Sequence, residues 1–97
     1  MSYTLHPQAA LEHEQQVAYY QQRQVGLGQR YHEAFKTAAL QAADTPKRFK
    51  LIRPPEIRTL DLAGFPLRII YREAGSQIQI LAVAHHRRRP QYWAGRV

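Results

Sequence analysis

Beyond the short opening stretch "SYTLH", the hydrophobic period of this chain changes at the proline pair Pro54-Pro55, and that change constrains the fold more than any other feature of the sequence. Before it, apolar residues recur every three to four positions; after it they recur every second position. A chain that is first helical and then extended, within 97 residues, has room for one core and therefore one α+β domain, residues 1–97.

The helical half opens with "SYTLH", where Tyr3 and Leu5 alternate with polar neighbours as in a short strand. Pro7 suits the first turn of a helix, and residues 7 to about 24 are rich in Ala, Gln, Glu and Leu. The apolar stripe of this helix, Ala10, Val17 and Tyr20, is thin, and His13 interrupts it. "VGLG" breaks the helix, with Gly26 as its stop. A second helix, about residues 28–43, carries a fuller stripe in Leu27, Tyr31, Phe35, Ala38 and Ala42, thickened by Ala34 and Ala39. So short a link predicts an antiparallel helix hairpin.

"DTPKRFK" closes the helical half, since Pro46 cannot lie inside a helix. Three strands follow, "EIRTLDL", "LRIIYRE" and "IQILAVAHH", joined by the turns "AGFP" and "AGSQ". Connections this tight predict an antiparallel meander. The order is β-α-α-β-β-β, with the helix hairpin packed on one face of the sheet. Alternation puts Ile69 and Tyr71 on one face, and Arg68, Ile70 and Arg72 on the other. Ile78 and Ile80 repeat the first face, with Leu81 and Val83 opposite. The ending "PQYWAGRV" reads as a short helix or a tail.

Charge divides the chain as sharply as period does. Residues 1–45 hold three basic and four acidic residues, a net of −1; residues 46–97 hold eleven and three, a net of +8. Arginine outnumbers lysine eleven to three. Guanidinium groups bind carboxylates and phosphates bidentately and stack on planar groups, which ammonium groups do not. Arg58, Arg68 and Arg72 on strands, with His86, Arg87, Arg88 and Arg89 at the last strand's end, are expected to form one surface for an anionic partner. Lys47 and Lys50 could add phosphate contacts. Trp93 borders this surface; hydrophobic packing of the tail explains it better than base stacking. Tyr19 and Tyr20 read as helix packing and Tyr71 as core. His85 closes an apolar run beside the cations. It either bonds a backbone group at the strand end or, held neutral, serves as a base on a ribose hydroxyl.

Other chemistry is absent from the pattern. There is no cysteine, so no disulfide, thiolate nucleophile or zinc–thiolate site. His6, His13 and His32 are scattered in sequence, and adjacent strand positions send His85 and His86 to opposite faces, so no metal and no cofactor are expected. No phosphate loop or dinucleotide fingerprint is present. Asp44 and Asp61 have no evident histidine and serine partners, and Glu12 and Glu14 read as solvated charges. No run approaches a membrane span and the start lacks signal-peptide character, so a cytoplasmic protein without a membrane partner is expected.

The order of these pieces resembles the RelE/ParE superfamily of bacterial type II toxins over nearly the whole chain. "YYQQRQVGLGQRYHEAF" resembles the family's helix hairpin, "TPKRF" the loop after it, and "IRTLDLAGFPLRIIYRE" its strand pair. "VAHHRRRPQYW" resembles the ParE-like ending through His85, Arg88, Pro90 and Trp93. The resemblance implies a toxin neutralised by a cognate antitoxin in a hetero-oligomer, with DNA gyrase as target in the favoured ParE-like branch and no catalysis of its own. The RelE-like alternative is a ribosome-dependent mRNA endonuclease, for which the resemblance points to His85, Arg68, Arg88 and Tyr92 as catalytic candidates. Arg89 departs from the ParE pattern, where an acidic residue is common, and this favours RNA contact. A non-toxic relative that only binds a partner is the third reading.

Overall fold

The computed structural model describes residues 2–97. Its elements are β1 (Ser2–Leu5), α1 (Pro7–Arg23), α2 (Leu27–Asp44), β2 (Lys50–Arg53), β3 (Ile57–Asp61), β4 (Leu67–Ala74), β5 (Gln77–His85) and a terminal 3₁₀ turn (Ala94–Arg96). One five-stranded sheet has the order β1-β5-β4-β3-β2. The meander β3-β4-β5 is antiparallel as expected, with the hairpin on one face, while β1 joins β5 in parallel and makes the sheet mixed. One strand was not evident from the sequence. β2 is a four-residue edge strand, and its pairing to β3 shifts register between Leu51 and Arg53. Its flanking prolines and two cations hide the alternation.

Each helix is placed by local chemistry. His6 caps α1, its Nδ1 accepting from Gln8 N at 3.1 Å, and Pro7 occupies the first turn. Gly26 has φ 88°, a left-handed value that lets the chain reverse directly into α2. The stripe of Tyr31, Phe35, Ala38, Ala39 and Ala42 is buried against the sheet face that carries Ile69, Tyr71, Ile78 and Ile80. Beyond α2, the Tyr71 hydroxyl donates to Pro46 O at 2.7 Å and ties the connecting loop to that core.

The helices approach most closely at Gly28. A Cβ there would lie 2.7 Å from the Val17 carbonyl oxygen, a backbone atom that cannot rotate away. Gly28→Ala is therefore expected to splay the hairpin and cost about 1–3 kcal/mol, measured by urea unfolding, despite alanine's better helix propensity.

His13 does more than interrupt a stripe, and His13 and His32 are not scattered in space. His13 Nδ1 lies 2.9 Å from the Tyr31 hydroxyl, and its Nε2 lies 3.1 Å from His32 Nδ1. Phe35 covers the ring at a centroid distance of 4.1 Å. One polarity satisfies every group: Tyr31 O–H donates to His13, and His13 Nε2–H donates to His32. A proton on His13 would reverse the first bond and strand the buried Tyr31 hydroxyl. Burial, reinforced by the neighbouring His32, pulls His13 down to about 4. Its folded-state value is below the unfolded one, so the neutral form carries the stability. That stability is present above pH ~6.5 and lost as pH falls towards 4. With half-exposure allowed for, the loss attributable to His13 is about 1–2 kcal/mol. Urea midpoints at pH 7 and pH 4.5 should differ less in His13→Gln than in the parent chain.

An irregularity in β5 overturns one expected side-chain placement. Ile70 pairs with Ala82 but Tyr71 pairs with Ile80, so Leu81 is an extra, bulged residue. The alternation slips by one there. Val83 lies in the helix-side core, while Leu81, Ala82 and Ala84 form a second cluster on the outer face with Ile57, Ile70 and Trp93.

Candidate functional site

The outer cluster is roofed by the chain's own end. After His85, the turn is held by Arg88 N to His85 O at 3.0 Å and by His86 N to Pro66 O at 3.0 Å. Gln91, at φ 59°, turns the tail back over the sheet, and Trp93 is buried to 3% exposure against Ile70 and Ala84. Packing on the outer cluster thus accounts for the burial of the indole.

What fastens this tail is Glu12, which is no solvated charge. Its Oε1 accepts from Val83 N at 3.0 Å and from Arg96 Nη1 at 2.8 Å, and its Oε2 accepts from the Tyr92 hydroxyl at 2.9 Å and from Arg96 Nη2 at 3.0 Å. Arg96 also donates to the carbonyl of the bulged Leu81 at 3.0 Å. β1 leaves this length of β5 uncovered, so one carboxylate and one guanidinium finish its edge. Burial and the hydrogen bond to Glu12 push Tyr92 up to about 12. Glu12 likewise raises Arg96 further above its ordinary value.

Between tail and sheet lies a pocket of about 310 Å³. Its floor is apolar: Ile52, Ile70, Ala84 and Trp93. Its rim is cationic: Arg68, His86, Arg88 and Arg89, with His85, Pro90, Gln91 and Tyr92 completing the wall. The Arg88 guanidinium lies 3.9 Å from the Tyr92 ring centroid, and Arg96 lies 5.0 Å from the same ring. Asp61, at the end of β3, is 3.4 Å from His86 Nε2 and 4.0 Å from Arg68 Nε. Asp61 thus has a histidine neighbour after all. His85 is held by the turn, its Nδ1 accepting from Arg87 N at 3.0 Å, the backbone bond foreseen for it. Its pairing with Leu67 turns the ring towards the helix side, where it borders a second groove of about 600 Å³ with Tyr19, Tyr20, Arg23 and Pro66.

The expected single arginine surface is divided. Arg68, Arg88 and Arg89 gather at the pocket with His86. Arg58 does not: it pairs with Tyr71 on the helix-facing side, and its Nη1 donates to Phe49 O at 2.9 Å. Arg72 shares the outer face but stands four residues along β4, about 13 Å away at ~3.3 Å per residue, bonded to Gln79. Arg87 is exposed outside the pocket lining, as are Lys47 and Lys50. Alternation fixes the face but not the end of a strand, which is why Arg72 seemed to belong. Ile52, Asp61, Glu12 and Arg96 were not foreseen; nothing in their sequence neighbourhood separates them from surface residues. Among the described residues no group of three or more His, Cys, Asp or Glu is placed to hold a metal ion.

A family model described as the ParE toxin of the type II toxin–antitoxin system parDE matches residues 3–90. The chain belongs to the ParE toxin family. The match to the ParE model ends at Pro90, so the cationic rim and the floor residues Ile52, Ile70 and Ala84 lie within it while the tail residues Tyr92, Trp93 and Arg96 lie beyond. A chain from a solved structure titled "Chromosomal ParDE TA system from P. aeruginosa" shares this ParE-like fold at a TM-score of 0.63 and 21% identity, over 88% of this chain and 95% of that one. The comparison with curated proteins found no match.

Proposed function

We propose that this chain is the toxin of a type II toxin–antitoxin pair, that it arrests growth by poisoning DNA gyrase, and that a cognate antitoxin neutralises it as a hetero-oligomer. The observation that carries the reading is the ParE family match over residues 3–90. The cationic end of the sheet supports it, because a poison that works by docking needs a charged, preformed surface and no catalytic group. The free chain carries +8 on its second half, and a partner with carboxylates would relieve that repulsion.

Induction of the chain alone tests the reading. Gyrase trapped on cleaved DNA and a DNA-damage response should precede any fall in protein synthesis. Purified gyrase should accumulate linear DNA in its presence. A first effect on translation, with transcripts cut within codons, would instead establish the endonuclease alternative. That alternative draws on Arg68, His85, Arg88 and Tyr92 bordering one pocket. Against it, the Tyr92 hydroxyl already donates to Glu12 and is pushed up to about 12, which removes it as a proton acceptor at neutral pH. Harmless expression of the folded chain would leave partner binding as its remaining role.

A further inference from the structure

The cations at the end of the sheet serve a partner best where they are held in place before it arrives. Arg88 is the middle one of three consecutive exposed arginines, and among the described residues it forms no ion pair with a carboxylate. Like charges side by side on long, flexible stems splay into water unless something orders them. What orders the Arg88 guanidinium is the Tyr92 ring, whose centroid lies 3.9 Å from it. That ring is itself fixed from outside the pocket. Its hydroxyl donates to Glu12 Oε2 at 2.9 Å, and Arg96, 5.0 Å from the ring, forks onto both oxygens of the same carboxylate at 2.8 and 3.0 Å. Val83 N, donating to Glu12 Oε1 at 3.0 Å, sets the carboxylate against the β5 backbone. The turn between Arg88 and Tyr92 does not hold this arrangement alone. Gln91 keeps φ at 59°, a left-handed value that a non-glycine residue retains only where its surroundings impose it.

We propose that Glu12, a residue of α1 outside the pocket lining, is a positioning residue for the target-docking surface: through Tyr92 and Arg96 it fixes the Arg88 guanidinium at the rim. Its consequence for a target rests on the toxin reading; the placement of Arg88 does not. Both tail partners of Glu12 lie beyond residues 3–90, the stretch matched to the family, so the match itself does not assign this role. Loss of the carboxylate frees the Tyr92 hydroxyl and the Arg96 fork together. Gln91 then relaxes, and Arg88 returns to a run of solvated, mutually repelling charges. Tyr92→Phe acts differently. It gives up the hydroxyl but keeps the ring, which Arg96 still clamps from its fork on Glu12, so Arg88 stays aligned.

Two readouts on the full chain test this, one of placement and one of function, at a temperature where circular dichroism shows the variants folded. In the parent chain the Arg88 side-chain protons should resonate upfield, shifted by the Tyr92 ring current, and Tyr92→Ala marks their unshifted position. Glu12→Ala should move them most of the way to that position. Glu12→Gln, which costs less stability, should move them about half-way, and Tyr92→Phe should leave them in place. With purified gyrase, Glu12→Ala should raise the chain concentration that gives half-maximal linear DNA about fivefold or more, and Arg88→Ala by at least as much. In an Arg88→Ala background, Glu12→Ala should add less than about twofold, while its shift of the urea midpoint stays nearly the same in both backgrounds. Non-additivity in function without non-additivity in stability is what positioning predicts and a structural role does not. Gly28→Ala, which loosens the hairpin away from the tail, should leave the resonances in place and the titration within about twofold. Arg88 resonances unmoved by both Glu12 variants, an undiminished Glu12→Ala effect in the Arg88→Ala background, or the same loss in Gly28→Ala would overturn the proposal. If the parent chain yields no linear DNA, the toxin reading falls and the resonances alone decide the placement of Arg88. If it does and Arg88→Ala is without effect, the toxin reading stands and the proposal falls.

Discussion

Glu12→Ala will lower the unfolding free energy by about 3 kcal/mol and release the C-terminal tail. The reason is the number of groups that lose their partner at once. Val83 N, the Tyr92 hydroxyl and both Nη atoms of Arg96 all converge on this carboxylate. The two side chains of the ion pair are 11% and 14% exposed, so water only partly replaces what is lost. Arg96 would keep its bond to Leu81 O but carry an unpaired, largely desolvated charge. Glu12→Gln keeps an acceptor and loses the charge, so roughly half the effect is expected. Glu14→Ala, exposed two residues on, should stay within about 0.5 kcal/mol. Urea unfolding gives the magnitude. Limited proteolysis gives the mechanism, because a released tail opens cleavage at the exposed Arg87–Arg89 run before global unfolding. A double-mutant cycle with Arg96→Ala should be strongly non-additive, since each substitution breaks the same cluster.

Why that carboxylate looked ordinary in the sequence follows from where its partners lie. Tyr92 and Arg96 are 80 and 84 residues away along the chain. No local spacing encodes such a meeting. The helix hairpin, by contrast, was legible because its evidence is local: Pro7, Gly26 and the stripe from Leu27 to Ala42 each act within a few residues. The three long strands were legible for the same reason. β2 was hidden because four residues between prolines carry too little alternation. The bulge at Leu81 was hidden because it is a property of the pair, not of either strand. The candidate site was half visible. Its cations were, but a strand face is shared by residues at both ends, so alternation alone cannot separate Arg72 from Arg68, and only the register with Tyr71 places Arg58 on the helix side. The apolar floor depends on the tail folding back, which Trp93 foretold only as packing.

Trp93→Ala carries the other large effect, and its consequences separate the tail's two roles. The indole is 3% exposed against Ile57, Ile70, Leu81, Ala82 and Ala84, and its loss should cost about 3–5 kcal/mol, followed by circular dichroism because the fluorophore is gone. Trp93→Phe should recover more than half of that, since the site asks for a large apolar group. Tyr92→Phe should cost only about 1 kcal/mol, removing one hydrogen bond while leaving the ring for Arg88. These three substitutions rank differently for the pocket than for stability. Trp93→Ala removes part of the floor and loosens the arm that carries Arg88 and Arg89, so it should weaken anion binding even at temperatures where the chain stays folded. Tyr92→Phe keeps floor and rim and should leave binding near the parent value. If Trp93→Ala cost under about 1 kcal/mol, the tail would not be packed on the outer face, and the arginines at its start would have no fixed surface to define.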